Sequence, residues 1–238
     1  KDIQDPSVTV RFALSSEPNT FILAWTTTPW TLPSNLALCA GPNLNYVCLK
    51  PHGSEEKYWI CEGRQSAYFE EGSYQIINKC AGRELEGLAY EPIFRFADGR
   101  VDLSRARRVL LDEYVSDESG TGIVHQAPAF GEDDLRICQR EGIPVFDPVD
   151  TEGNFCAYMD FIAGMNIKEA DKTIIRQLKE QDLLFRQDTI QHSYPFCWRT
   201  DTPLIYKAIS TWFVNVESIK DRMVSHNQTV HWVPTHIR

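Results

Sequence analysis

The stretch "TFILAWTTTPWTLPSN", Thr20–Asn35, decides how the rest of the chain is read. Its first half is rich in β-branched and aromatic residues, the composition of a strand. Pro29 and Pro33 then remove backbone donors, so the ladder ends and an irregular, exposed path is expected from Trp30 to Asn35. Thr26, Thr27 and Thr28 stand at that junction between Trp25 and Trp30, which sets hydroxyls beside a large aromatic surface.

Further strands flank this one. "SVTVRFAL" alternates apolar and polar residues as a half-buried strand does, and "LNYVCLK" and "KYWICE" read as two strands around the turn "PHGSEE". "RRVLLDEYVS" and "GIVHQA" read as two more, separated by "DESGTG". "GEDDLRICQREG" predicts a short helix, with acids in its first turn and Gly142 at its end. A clearer helix is expected from Ile167 to Gln181, where Ala170, Ile174 and Leu178 share one face. Strands outnumber helices without alternating with them, which predicts an α+β fold, a β-barrel-like mixed sheet with peripheral helices.

From about Gln191 the chain becomes turn-rich and aromatic, and "WFVNVESIKDRMVSHN" predicts a strand followed by a helix. With no repeat or low-complexity linker, residues 1–238 are expected to form one domain. The final "WVPTHIR" reads as a cut inside a longer protein.

Composition narrows the function classes. Of 238 residues, 42% are hydrophobic and 24% charged, enough apolar content for a sizeable core. There is no apolar run of membrane-spanning length and no secretory leader, so a cytoplasmic location is expected. The seven cysteines lack C-x-x-C spacing and several lie in apolar runs, which argues against a disulfide scaffold or zinc ribbon. His192 with Cys197 is the nearest metal-like pair, and no metal is expected. A net charge of −9 argues against broad binding to DNA or other duplexes but leaves room for a grip on a few single-stranded nucleotides. Two basic clusters, Arg105–Arg107–Arg108 and Lys172–Arg176–Lys179, read as solvated surface charge.

A second stretch, "GTGIVHQAPAFGEDD" (Gly120–Asp134), has the pattern of a strand, a loop and a helix start, a corner that commonly displays polar groups to a ligand. Glu132 and Asp133 are explained by the helix macrodipole, whereas Asp134, beside Leu135, is not. His125 alone reads as a core histidine, and the threonines alone read as strand formers. The constellation is more informative than its members.

Together, "WTTTPWTLPSN" and "GTGIVHQAPAFGEDD" resemble the two signature regions of the editing domain inserted in class I isoleucyl-tRNA synthetases, of the eukaryotic cytosolic or archaeal-like type. The valyl and leucyl relatives usually carry "TTRP" where this chain has "TTTPW". "HSYPFCWR" followed by "TPLIYKA" resembles the returning segment of that insertion, with Phe196 where a histidine is often found. The resemblance spans nearly the whole chain. It implies that about 1–20 and 190–238 connect to a catalytic core outside this sequence, whose ATP site is absent here. No cofactor is implied for the segment itself.

What the resemblance implies is hydrolysis of valyl-tRNA(Ile), with the tRNA 3′ end and the remaining synthetase domains as partners. Asp134 would hold the substrate ammonium, and Thr27 and Thr28 would place water and stabilise developing charge. His125 would shape the side-chain pocket, with a general-base role left open. Trp25 and Thr26 would contact substrate, and Asn35 would hold either the loop or the adenosine. Thr31, in the proline-bracketed turn, is expected to tolerate alanine better than Thr27 or Thr28. The alternatives are a module that binds the tRNA 3′ end without cleaving it, an insertion with a decayed pocket, and a valine-specific relative that clears threonine.

Overall fold

The computed structural model describes residues 1–237. Arg238, the last residue of the expected returning connection, lies outside the described residues. Nine strands form one mixed sheet: β1 (Asp2–Ala13), β2 (Thr20–Thr26), β3 (Ala37–Ala40), β4 (Asn45–Pro51), β5 (Lys57–Cys61), β6 (Tyr74–Ala81), β7 (Val109–Leu111), β8 (Ile123–Gln126) and β9 (Leu184–Ser193). Their order is β6-β4-β5-β2-β8-β3-β7, with β1 paired to both β2 and β9. Helices α1 (Gln65–Tyr68), α2 (Glu132–Arg140) and α3 (Ile167–Glu180) lie outside the ladder. The sheet curls into a half-barrel, the mixed α+β class expected from the sequence.

β2 is central because both of its faces are covered. Ile22 and Ala24 join the larger core with Val10, Phe12, Leu38 and Ile174, while Leu23 points into a second core with Val47, Tyr58 and Ile60. That is why "FILAW" is a continuous apolar run without the polar alternation of a one-sided strand. β2 runs antiparallel to β1 but parallel to β5 and β8, and it meets β8 at Trp25↔Val124. Crossing to β8 at this point brings the two sequence stretches together.

The path after β2 corrects one expectation. Pro29–Ser34 is a short 3-10 helix, and all six of its residues are buried. The prolines do end the ladder, but Trp30 and Leu32 carry too much apolar surface to stay outside; the Trp30 ring meets Phe130 edge-on at 4.8 Å. The strand expected over "RRVLLDEYVS" shrinks to Val109–Leu111, since Asp112 leaves the ladder to bind Arg136 and Arg140.

Residues 209–237 fall in a second unit, which contains α4 (Lys220–Thr229) and no strand over Trp212–Val216. That segment has the apolar residues of a strand but no ladder partner among the described residues, and Trp212 is fully exposed. Among the described residues no helix is long and apolar enough to cross a membrane.

Candidate active site

A cleft of about 400 Å³ opens where β2 ends beside β8. Trp25, Thr26, Thr27, Thr28 and Thr31 line one side; His125 and Asp134 line the other. The contact is built across 94 residues of sequence, with Thr31 Oγ1 2.8 Å from His125 Nε2. Gly120 lets the Trp25 ring close the rim, because a Cβ there would sit 2.8 Å from the ring at a φ of +61°.

The threonine hydroxyls divide into two roles. Thr26 Oγ1 accepts the Thr28 backbone N–H at 3.1 Å and lies 3.2 Å from Thr28 Oγ1. Thr31 Oγ1 donates to the Thr28 carbonyl at 2.8 Å, and Thr28 Oγ1 lies 3.3 Å from Thr31 Oγ1. These three therefore fold the run onto itself, as threonine does when it competes with regular backbone pairing. Thr27 also lines the cleft, and among the described residues its hydroxyl has no hydrogen-bond partner.

His125 is held on both edges of its ring. Asn35 Nδ2 stands 3.4 Å from Nδ1 and also donates to the Ala37 carbonyl at 2.9 Å, while Tyr90 donates to Asn35 Oδ1 at 2.7 Å. An amide nitrogen can only donate, so Nδ1 accepts and the ring proton sits on Nε2, which donates to Thr31. Burial pulls His125 down to about 4, so the ring is neutral near pH 7. This geometry leaves no free lone pair on the imidazole for a base. Asn35 lies behind His125 rather than on the cleft wall, and its amide bonds to the Ala37 carbonyl.

Asp134 sits in the first turn of α2. Its Oδ2 accepts the Ala127 backbone N–H at 2.8 Å, which pins the strand-to-helix loop. Gly131 permits this fold-back, since a Cβ there would meet Asp134 Cγ at 2.7 Å. No arginine or lysine lines the cleft, and among the described residues no cation pairs with Asp134. Burial without a counter-charge raises the carboxyl to about 6, so most of it is ionised near pH 7. Glu132 and Asp133 are absent from the cleft wall, and Asp133 binds Arg136.

Sequence reasoning missed three contributors. Thr31, expected only to tolerate alanine better than Thr27 or Thr28, joins His125 to the threonine run. Its spacing three residues after Thr28 is the available signal, the spacing of a side chain that closes a turn. Tyr90 and Phe130 left no signal; one is fully buried behind Asn35, and the other lines the cleft between Trp30 and Asp134. Trp30 itself does not reach the cleft. His192, of the suspected metal pair, is 3.1 Å from Asp5, and no group of three metal-ligating side chains occurs among the described residues.

No protein-family model matches the chain. The isoleucine–tRNA ligase of Bdellovibrio bacteriovorus is 48% identical over 240 residues, which cover all of this chain and 23% of that protein. The cytoplasmic isoleucine–tRNA ligase of Mus musculus is 47% identical, again over the whole chain and over 19% of its own length. The chain thus spans about a fifth to a quarter of these relatives, and near-equal likeness to a bacterial and a mammalian enzyme does not separate the expected subtype. Solved structures agree on the fold. A leucyl-tRNA synthetase CP1 domain (GlLeuRS-CP1) superposes with a TM-score of 0.54 at 17% identity, covering 79% of this chain and 99% of that one. The P. falciparum cytosolic leucyl-tRNA synthetase editing domain gives 0.56 at 10% identity, covering 79% and 100%. Over its whole length, then, the chain is similar to a segment of isoleucine–tRNA ligases at close to half identity, and it has the fold of leucyl-tRNA synthetase editing domains.

Proposed function

We propose that the cleft hydrolyses the ester of valyl-tRNA(Ile) and rejects isoleucyl-tRNA(Ile), in the cytoplasm and as part of a longer ligase. The observation that carries this reading is the unanswered Asp134 carboxylate in a cleft otherwise lined by neutral groups. Such a carboxylate is a receptor for an ammonium, and an aminoacyl ester brings one next to its reacting carbon.

The remaining geometry supports hydrolysis by oriented water. Thr27, whose hydroxyl has no hydrogen-bond partner among the described residues, lines the cleft in a run whose backbone is fixed by Thr26, Thr28 and Thr31. Water held there would bond to the ester carbonyl carbon, and the ribose oxygen would leave with a proton. Thr28 and nearby backbone groups would bear the charge that develops on the carbonyl oxygen. No covalent nucleophile is assigned, because no free base adjoins a threonine. Trp25 and Thr26, on the rim, would meet the terminal adenosine. His125, neutral and clamped, would form a rigid wall for the side-chain subsite.

Rigidity is the useful property. The handicap of the ligase family is that one methylene is worth only about 1–3 kcal/mol in a hydrophobic pocket, for which isoleucine against valine is the standard case. A wall that cannot move makes entry of the larger side chain costly. Deacylation of valyl-tRNA(Ile) by the wild type and by Asp134→Ala tests the assignment. A folded Asp134→Ala protein should lose nearly all turnover, a cost of about 2–5 kcal/mol for a buried charged contact. Turnover near the wild-type rate rejects it.

A further inference from the structure

The face of α3 turned toward the β1–β9 ribbon carries Lys172, Arg176 and Lys179, at i, i+4 and i+7. They line a groove of about 640 Å³ with Gln187 and Thr189 of β9. Among the described residues, none of the three side chains meets a carboxylate, a carbonyl or a ring. Many other cations among the described residues are paired with carboxylates. Glu56 holds Arg11, Glu141 holds Arg108, Asp112 holds both Arg136 and Arg140, and Asp147 holds Lys207. Even Lys168, one turn before Lys172, is taken by Asp5 at 3.0 Å. Asp5, the acid that also lines the groove, is further engaged by His192 at 3.1 Å.

Three like charges at this spacing repel one another, so folding alone gains nothing from keeping them unpaired. They concentrate positive charge on one face of a chain whose net charge is −9. The run from Lys172 to Lys179 rises about 10 Å along the helix, enough for successive contacts along a polyanion. Its position is tied to the cleft. Asp171, next to Lys172 but buried, accepts the Trp30 backbone N–H, and α3 packs against the turn that carries Thr31.

We propose that this groove is a phosphodiester-binding subsite for the RNA whose 3′ end enters the cleft, an inference that rests on the cleft reading given above. The cations would contact backbone phosphates of the tRNA away from the reacting ester, so they carry affinity and no base specificity.

Uncharged tRNA(Ile) separates this proposal from the hydrolytic one, because no chemistry is involved. Its binding to the 238-residue chain is measured across a salt series for the wild type and for K172Q/R176Q/K179Q, with the tetranucleotide ACCA as a ligand confined to the cleft. Each lost phosphate contact removes about 0.7–0.9 from the slope of log K against log salt. The triple variant should therefore lose about 2–3 from the tRNA slope, and at least tenfold in affinity at low salt, with ACCA binding unchanged. Lys172→Arg with Lys179→Arg should keep the wild-type slope. The proposal is overturned if the triple variant keeps the tRNA slope, if wild-type binding shows no salt dependence, or if ACCA binding falls equally. Equal binding of poly-glutamate, with the same slope, overturns it as well, since the groove is then a general polyanion surface. Loss of valyl-tRNA hydrolysis in every form would instead strike the cleft reading and leave the slope measurement standing.

Discussion

Replacing Asp134 by asparagine should stabilise the domain while disabling it. The side chain keeps its shape, and its amide oxygen can still accept the Ala127 N–H. What disappears is a buried charge that no cation answers. The Asp134 carboxyl stands near 6, about two pH units above an ordinary aspartate, and each unit corresponds to about 1.4 kcal/mol. The folded carboxyl holds its proton more tightly than the unfolded one. The native state therefore binds more protons between about pH 4 and 6, and it loses stability as pH rises through that window. Asparagine is exempt from this loss. Its advantage should be small near pH 4, grow toward pH 6 and level off above it at about 1–3 kcal/mol. Urea unfolding of both proteins from pH 4.5 to 8, followed by circular dichroism, measures the difference. A variant that is less stable at pH 8, or whose advantage does not change with pH, would show that the carboxylate is already paired and would remove the basis for an ammonium site.

Three further outcomes follow from the same geometry. Hydrolysis of valyl-tRNA(Ile) at subsaturating substrate should fall about tenfold per pH unit below about 6, as Asp134 takes up its proton and can no longer bind an ammonium; a limb near 4, where His125 titrates, would move the requirement to the histidine. Thr27→Ala should leave the melting temperature unchanged and cut turnover, whereas Thr31→Ala should destabilise by about 1–3 kcal/mol because His125 and the Thr28 carbonyl lose their partner; equal melting temperatures would refute that division of roles. Tyr90→Phe keeps the ring that packs edge-on against Phe12 but strands Asn35 Oδ1, so histidine nitrogen shifts in NMR spectra should show a mixed His125 tautomer; an unchanged spectrum would show that Asn35 needs no support.

The parts of the fold legible in the sequence are those decided locally. β2 is visible because two buried faces demand a continuous apolar run, and α3 because Ala170, Ile174 and Leu178 repeat at helical spacing. The candidate site was legible as composition: hydroxyls after a strand, and a third acid in a helix start that the macrodipole did not need. Its inner wiring was not legible. Whether Pro29–Ser34 stays outside or tucks in depends on Phe130, a hundred residues later in the chain, offering Trp30 a surface. Thr31 changes from turn residue to site residue only because β8 lies next to β2 and delivers His125 to it. Tyr90 reaches Asn35 from a segment with no motif of its own. Such contacts follow from strand order, which local periodicity does not encode.

The central claim is discrimination by a rigid wall, and it is tested most directly by deacylation of valyl-tRNA(Ile) and isoleucyl-tRNA(Ile) measured side by side with the wild type and with His125→Ala. The wild type should hydrolyse the valyl ester and leave the isoleucyl ester intact. His125→Ala should keep part of the first activity and gain the second, with the ratio between substrates falling by a factor corresponding to about 1–3 kcal/mol. Equal hydrolysis of both esters by the wild type, or undiminished rejection of isoleucine by a folded His125→Ala protein, would contradict the account.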